Sequence, residues 1–224
     1  MVENATTIEI ETITNALRAA SIPPDFTPEE SRLILRIYRL VAQGNPVSAH
    51  KIGQAAREAR LPEASAIELI KQMSERDEDG NVVGFIGLSQ NQHAHAFEVD
   101  GVALSAWCAW DTLFIPTLLN KRATVTSLDP ESKEKVQLTV TPTGVSHVEP
   151  EGVTVSIVTP QTSVQGAQAV EDIWMVFCHQ VHFFSSRESA EAWRSRSDQQ
   201  IHLLTTHEAF DLGAKAFSKL RTFA

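Results

Sequence analysis

The most constraining feature of this sequence is a twelve-residue, mostly apolar segment, Ser105–Pro116, that contains both a thiol and a carboxylate. Cys108 is one of only two cysteines in the chain, and Asp111 follows it three residues later. Residues at this spacing share one face of a helix. Because an unpaired buried charge is costly and a buried carboxyl tends to keep its proton, such a pair calls for a partner or a function.

The second cysteine, Cys178, lies seventy residues further on, in an apolar segment that also contains His179 and His182. We expect the rest of the chain to bring the two cysteine segments together. Near a helix N-terminus, the pKa of the Cys108 thiol is expected to fall, which would make it a better nucleophile and metal ligand. For Cys108 taken alone, a small buried apolar residue is the alternative interpretation.

The bulk properties exclude several classes of protein. The 224 residues can form one large domain or two small ones, and the formal charge of −9 argues against broad contact with nucleic acid or an acidic membrane. The sequence shows neither a secretory signal pattern nor an apolar run that could span a bilayer. We therefore expect a cytoplasmic protein with two free thiols and with no nucleic acid or membrane partner.

The first 90 residues have the pattern of a small helical domain. Residues 1–26 predict one amphipathic helix, and residues 27–90 predict three helices followed by a strand over 82–88, the outline of a winged helix-turn-helix. Thr27, followed by a proline and two glutamates, predicts the N-cap of the second helix. The third helix of this unit is not basic, so DNA binding by a regulator is a weak alternative.

Residues 91–224 predict a catalytic α+β domain, in which an antiparallel β-sheet is flanked by helices. A hairpin over 94–104 leads into the Cys108 helix, and His93 and His95 are expected to be solvated on that hairpin. Capping boxes that start at Ser185 and Thr205 predict two later helices. A short helix or loop is expected over 161–173, and four predicted strands cover 123–127, 136–140, 145–148 and 153–158.

Two thiolates and one carboxylate suit a soft, two-coordinate metal such as Hg(II) or Cu(I). A zinc site would need four ligands, and the chain has no Cys-x-x-Cys pair. His179 and His182 could add nitrogen ligands only if the backbone were irregular, because residues three apart in a strand point to opposite faces. A cysteine hydrolase remains an alternative, but it would leave one cysteine without a role.

Two segments carry a family resemblance. Ala106–Pro116, which contains Trp-Cys-Ala-Trp-Asp-Thr, resembles the first catalytic segment of the organomercurial lyases (alkylmercury lyases), and Phe177–Phe184 resembles the second. Together they are far more specific than either is alone. Further similar stretches are Gly44–Ser48, Asp79–Gly84, Leu138–Pro142, Val148–Pro150 and His207–Gly213.

The resemblance implies protonolysis of the carbon–mercury bond of alkyl- and arylmercury compounds, giving a hydrocarbon and Hg(II). Cys108, Asp111 and Cys178 would be the catalytic residues and would hold the Hg(II) product, with Asp111 as the proton carrier. No cofactor would be required beyond free thiols as co-reactants, and cellular thiols or a mercuric reductase would accept the Hg(II). The alternative is a non-catalytic carrier of Hg(II) or Cu(I) that uses the same two thiols.

Overall fold

The computed structural model describes residues 7–159 and 177–223. The segment predicted over 161–173 lies outside the described residues. The helices within the described ranges are α1 (Thr7–Ala19), α2 (Pro28–Val41), α3 (Ala49–Ala59), α4 (Glu63–Gln72), α5 (Ala109–Leu119), α6 (Arg187–Arg194), α7 (Thr206–Ala216) and α8 (Ser218–Arg221). The strands are β1 (Ser74–Arg76), β2 (Val82–Phe85), β3 (Leu88–Ser89), β4 (His95–Val99), β5 (Val102–Ala106), β6 (Ala123–Leu128), β7 (Lys135–Thr141), β8 (Gly144–Glu149), β9 (Thr154–Val158), β10 (Phe183–Phe184) and β11 (Ile201–Thr205).

The winged-helix-like outline of the N-terminal part is confirmed. Thr27 caps α2 in a capping box with Glu30, Ser48 caps α3, and the β1–β2 hairpin follows α4. A bridge between Val47 and Val82 ties the α2–α3 connection to this hairpin. The local cap and turn signals therefore place these helices correctly.

One antiparallel sheet runs through most of the molecule, in the order β1-β2-β3-β5-β4-β6-β7-β8. The strand predicted over 82–88 is wrong in its second half. Ile86 and Gly87 both have positive φ and turn the chain, so β2 and β3 pair with each other as a hairpin. Through the pairing of β3 with β5, the hairpin of the N-terminal part joins the sheet that leads to Cys108.

A smaller antiparallel sheet, in the order β10-β9-β11, lies beside the second cysteine. The capping box predicted at Ser185 is wrong, because Ser186 caps α6 instead. Ser185 is engaged elsewhere, since its backbone N–H and its hydroxyl both donate to the Asp129 carboxylate, at 2.8 and 3.0 Å. The capping box at Thr205 is confirmed.

The helix α5 occupies the centre of the core. Every residue of α5 is buried, and it packs against α2, α7 and β7. Gly213 of α7 allows the close approach, since a Cβ atom there would lie 2.9 Å from the Phe114 Cβ and 3.1 Å from the Trp110 indole nitrogen. Among the described residues, none of the helices is both long and apolar enough to cross a bilayer.

Candidate active site

The pair Cys108 and Asp111 lies where β5 ends and α5 begins. Cys108 is the N-cap residue, with extended backbone, and Asp111 is the third residue of the helix. The Asp111 carboxylate accepts a hydrogen bond from the Cys108 backbone N–H at 2.9 Å. The two residues are therefore brought together by helix capping, not by sharing one face within the helix as their spacing suggested.

Cys178 reaches the same place from a three-residue 3-10 turn, Cys178–Gln180. Ser156 of β9 fixes this turn, because its hydroxyl donates to the Gln180 carbonyl at 2.7 Å and accepts from the His182 N–H at 2.9 Å. The backbone N–H of Ala109, at the first position of α5, donates to the Val181 carbonyl at 3.2 Å. This N–H lies in the first turn of the helix and has no acceptor within it, so its hydrogen bond joins the two cysteine segments.

The three side chains form one compact cluster. The two sulfur atoms and a carboxylate oxygen of Cys108, Cys178 and Asp111 all lie within 4.8 Å of one another. Their exposed fractions are 0%, 5% and 8%, respectively, and both cysteines are free thiols. In the described residues this is the one group of three or more acidic, histidine or cysteine side chains close enough to share a metal ion.

Burial dominates the protonation of the cluster. It raises the pKa of Asp111 to about 6, although hydrogen bonds from Cys108 and the nearby His93 oppose the rise. Burial also raises the pKa of Cys108 well above its usual value, against the expectation that the helix terminus would lower it. A hydrogen bond from Cys108 favours the Cys178 thiolate, but burial and the Asp111 charge outweigh it, so the pKa of Cys178 is raised as well. At neutral pH the cluster therefore holds two thiols and one carboxylate.

Residues around Asp111 that sequence reasoning did not single out complete the site. A Cβ atom on Gly87, whose φ is +89°, would lie 2.5 Å from both the Asp111 Cγ and one carboxylate oxygen. The buried hydroxyl of Tyr38 donates to the carbonyl of Ile86, next to this glycine. The signal available in the sequence was a glycine inside a predicted strand, which often marks a close backbone approach.

An apolar cavity of about 270 Å³ opens onto the cluster. Asp111 and Cys178 contribute to its wall, and most of the other lining residues are apolar or aromatic. Its lining includes Pro24, Phe26, Tyr38, Met73, Ile86, Trp107, Trp110, Phe114, Phe177, Phe217 and Leu220. A cavity of this kind can hold a small organic group and keep water away from the thiols.

The candidate histidine ligands lie elsewhere. His179 is exposed, and the ring of His182 contacts the His179 carbonyl oxygen at 2.8 Å. The expectation of a solvated His93 and His95 pair is wrong. His95 is buried against the Ser127 hydroxyl, and burial lowers its pKa to about 3, while His93 is half-buried and its ring contacts the Glu75 carboxylate at 3.0 Å.

Comparison with known proteins identifies the family. A family model described as alkylmercury lyase matches residues 88–218, a range that contains all three cluster residues. The alkylmercury lyase of Pseudomonas putida is 36% identical over 214 residues, which cover 96% of this chain and 94% of that protein. The chain belongs to the alkylmercury lyase family. A second relative, the alkylmercury lyase of Streptomyces lividans, is 38% identical over 187 residues, or 83% of this chain and 82% of the relative.

The fold is that of a solved structure described as the mercury-bound form of MerB2. The two chains superimpose with a TM-score of 0.69 at 24% identity, covering 93% of this chain and 98% of the other. At this identity the likeness concerns the fold. An α+β architecture with an antiparallel sheet is thus shared between this alkylmercury lyase family member and that protein.

Proposed function

We propose that this protein cleaves the carbon–mercury bond of alkyl- and arylmercury compounds to a hydrocarbon and Hg(II). Cys108 and Cys178 act as the two mercury-binding thiolates and Asp111 carries the proton. The observation that supports these roles is the buried cluster, in which two free sulfur atoms and a carboxylate oxygen lie within 4.8 Å of one another. Family membership supports the reaction class.

The first step is capture of the organomercurial, R–Hg–X, where X is a thiolate from the medium. One cysteine sulfur forms a bond to mercury, its proton passes to the leaving thiolate, and X departs as a free thiol. This exchange leaves R–Hg bound to the protein and Asp111 still ionised. Soft thiolate sulfur is the ligand type that suits mercury best among protein side chains.

The second step breaks the carbon–mercury bond. The second cysteine gives its proton to the Asp111 carboxylate and adds to mercury as a thiolate, which increases the electron density on the bound carbon. Asp111 then delivers that proton to the carbon, so that R–H leaves and Hg(II) stays on both sulfur atoms. A carboxyl whose pKa is raised to about 6 by burial is suited to take and return a proton near neutral pH.

The proposed reaction uses only these side chains and a free thiol, and no cofactor enters it. We further propose that cellular thiols or a mercuric reductase take the Hg(II) from Cys108 and Cys178. Both sulfur atoms are buried, and Cys178 borders the cavity, so an accepting thiol would enter by that route. Two free thiols in the site favour a reducing compartment such as the cytoplasm.

The decisive experiment mixes the reduced protein with phenylmercury and excess thiol and measures benzene by gas chromatography. Catalytic release of benzene, with more than one equivalent per protein chain, is the expected result. A carrier that uses the same thiols would bind mercury but release no benzene. Circular dichroism and a thiol titration on the same sample verify that the protein is folded and reduced, so that absence of benzene would refute the proposed function.

A further inference from the structure

Glu75, on β1 of the N-terminal hairpin, is the centre of a hydrogen-bond network beside the site. Its carboxylate accepts from the Ser89 hydroxyl at 2.9 Å, the Asn91 amide at 2.8 Å and the His93 ring at 3.0 Å. The indole N–H of Trp107 donates to the same carboxylate. The side chain is only 18% exposed. A partly buried carboxylate with this many donors is held in one position.

The strand register explains why the carboxylate can reach so far across the sheet. Glu75 pairs with Gly84, and Gly84 pairs with Ser89, so the three residues lie in one row on one face. A Cβ atom on Gly84 would lie 2.7 Å from the Glu75 Cδ. The glycine therefore leaves open the space over which the glutamate side chain extends towards β3.

The hydrogen bonds also decide the charge of this side chain. Burial by itself would raise the pKa of Glu75, but the hydrogen bonds from His93, Asn91 and Ser89 outweigh it and hold the pKa below its usual value. Glu75 is therefore ionised at neutral pH, and all of its oxygen lone pairs are available as acceptors.

Trp107 connects this network to the reaction site. It directly precedes Cys108, it is buried, and it is one of the residues that line the apolar cavity. Its backbone N–H donates to the Gly87 carbonyl at 2.9 Å, so the main chain is fixed independently of the indole. Glu75 is not among the residues that line the cavity. Glu75 therefore binds the indole N–H from outside the set of residues that line the cavity.

We propose that Glu75 is a positioning residue that fixes the Trp107 indole as one wall of the substrate cavity and thereby sets how well the cavity accepts a bulky, aromatic organic group. This inference rests on the proposed function. An aryl group attached to mercury would pack against this wall, whereas a methyl group is too small to depend on it. The hydrogen bonds of Glu75 go to Ser89, Asn91, His93 and Trp107, and none of them goes to a cluster residue, so we expect kcat to change much less than KM for the aryl substrate.

The first test compares steady-state cleavage of phenylmercury and methylmercury by Glu75→Ala. We expect KM for phenylmercury to rise about tenfold, KM for methylmercury to change less than about threefold, and kcat for both to stay within about threefold. Glu75→Gln should restore most of the wild-type ratio, because its carbonyl oxygen can still accept from Trp107 and the His93 ring. Its amide nitrogen can donate to the Ser89 hydroxyl, and the Asn91 amide has to turn over so that its oxygen faces the new donor. Glu78→Ala, which removes an exposed carboxylate from the same hairpin, is the matched control. An equal change for both substrates would contradict the proposal.

The second test does not depend on turnover. The indole N–H signal of Trp107, assigned in a nitrogen–proton NMR spectrum from its loss in Trp107→Phe, should move upfield in Glu75→Ala and return towards its place in Glu75→Gln. In the wild type it should shift when phenylmercury binds. If the Trp107 signal moved neither in Glu75→Ala nor when phenylmercury binds to the wild type, the inference would be overturned. If wild-type protein bound phenylmercury with the Trp107 shift but released no benzene, the proposed function would fail while the positioning role stood.

Discussion

The two halves of the site are built in different ways. Cys108 and Asp111 lie at the first turn of α5, a fully buried helix, and a backbone–carboxylate hydrogen bond fixes them relative to each other. Cys178 lies in a short 3-10 turn that is fixed by hydrogen bonds to Ser156 on another strand. The geometry of the first half is therefore local, whereas that of the second depends on tertiary structure.

This difference implies that the two cysteines respond differently to perturbation, although the proposed reaction needs both. A change near Cys108 has to displace a buried helix, which is costly because the surrounding core is closely packed. A change near Cys178 has to release only a short turn. The predictions below test first whether both halves are needed and then how firmly each half is fixed.

The largest effect is expected from Cys108→Ser and Cys178→Ser. Each variant should lose at least about a thousandfold in cleavage of phenylmercury, because a hydroxyl is a poor ligand for a soft metal and cannot replace the second thiolate that activates the carbon–mercury bond. Each should still capture one organomercurial at the remaining thiol. Mass spectrometry of the intact protein would detect that adduct. Turnover by either single variant would show that the half of the site altered in that variant is dispensable.

Asp111→Asn separates proton delivery from metal binding. Asparagine can still accept from the Cys108 N–H, but it cannot carry the proton, so cleavage should fall by roughly a hundredfold or more. Binding of inorganic Hg(II) by the two thiols should persist, and equilibrium dialysis with elemental analysis measures it. Asp211→Asn, at an exposed aspartate of α7, is the matched control. Full cleavage by the Asp111 variant would refute the proton-carrier role.

Gly87→Ala tests how closely the first half is packed. The added Cβ would lie 2.5 Å from the Asp111 Cγ, and alanine at a φ of +89° is strained, so the carboxyl must move. A displacement of this kind should lower cleavage about a hundredfold and destabilise the fold by about 1–3 kcal/mol. Gly80→Ala, at φ +78° with open space around the Cβ, controls for backbone strain alone. Equal effects of the two substitutions would mean that contact with Asp111 is unimportant.

The contrast between local and tertiary contacts also explains which features could be predicted from the sequence. The caps at Thr27 and Thr205 and the closeness of Cys108 to Asp111 depend on residues a few positions apart, so they were predictable. The predicted cap at Ser185 was wrong because the N–H and the hydroxyl of this residue donate to Asp129, which lies more than fifty residues earlier in the chain. The position of Cys178 next to Cys108 depends on β9, so neither spacing nor periodicity could predict it. The family resemblance alone indicated that Cys178 belongs to the site.

The raised pKa of Cys108 was missed for a related reason. The helix-terminus argument considers one local dipole, whereas burial in the complete fold dominates the pKa of this thiol. The turn at Gly87 and the network around Glu75 were missed as well, because they depend on how β1, β2 and β3 pair. Sequence reasoning thus identified the reacting groups and left their environment to the structure.

The pH dependence of cleavage should follow the ionisation of Asp111, in the first half of the site. The Asp111 carboxylate must be ionised to accept a thiol proton, and its pKa is about 6, so kcat/KM should rise with pH and level off above that value. At one pH unit below this pKa, about a tenth of the plateau should remain. The measurement needs a co-reactant thiol that stays protonated throughout the range. A flat profile between pH 5 and pH 7 would contradict the stated role of this group.

Ser156→Ala should give the smallest effect and addresses the second half alone. Without the hydroxyl, the Gln180 carbonyl and the His182 N–H lose a buried partner, which should destabilise the fold by about 1–3 kcal/mol. The turn that carries Cys178 remains attached through the Ala109 N–H, so cleavage should fall only about fivefold. Ser195→Ala, at an exposed serine whose hydroxyl donates to the Ala192 carbonyl three residues earlier, is the control. A loss as large as that of Gly87→Ala would show that the second half is fixed as firmly as the first.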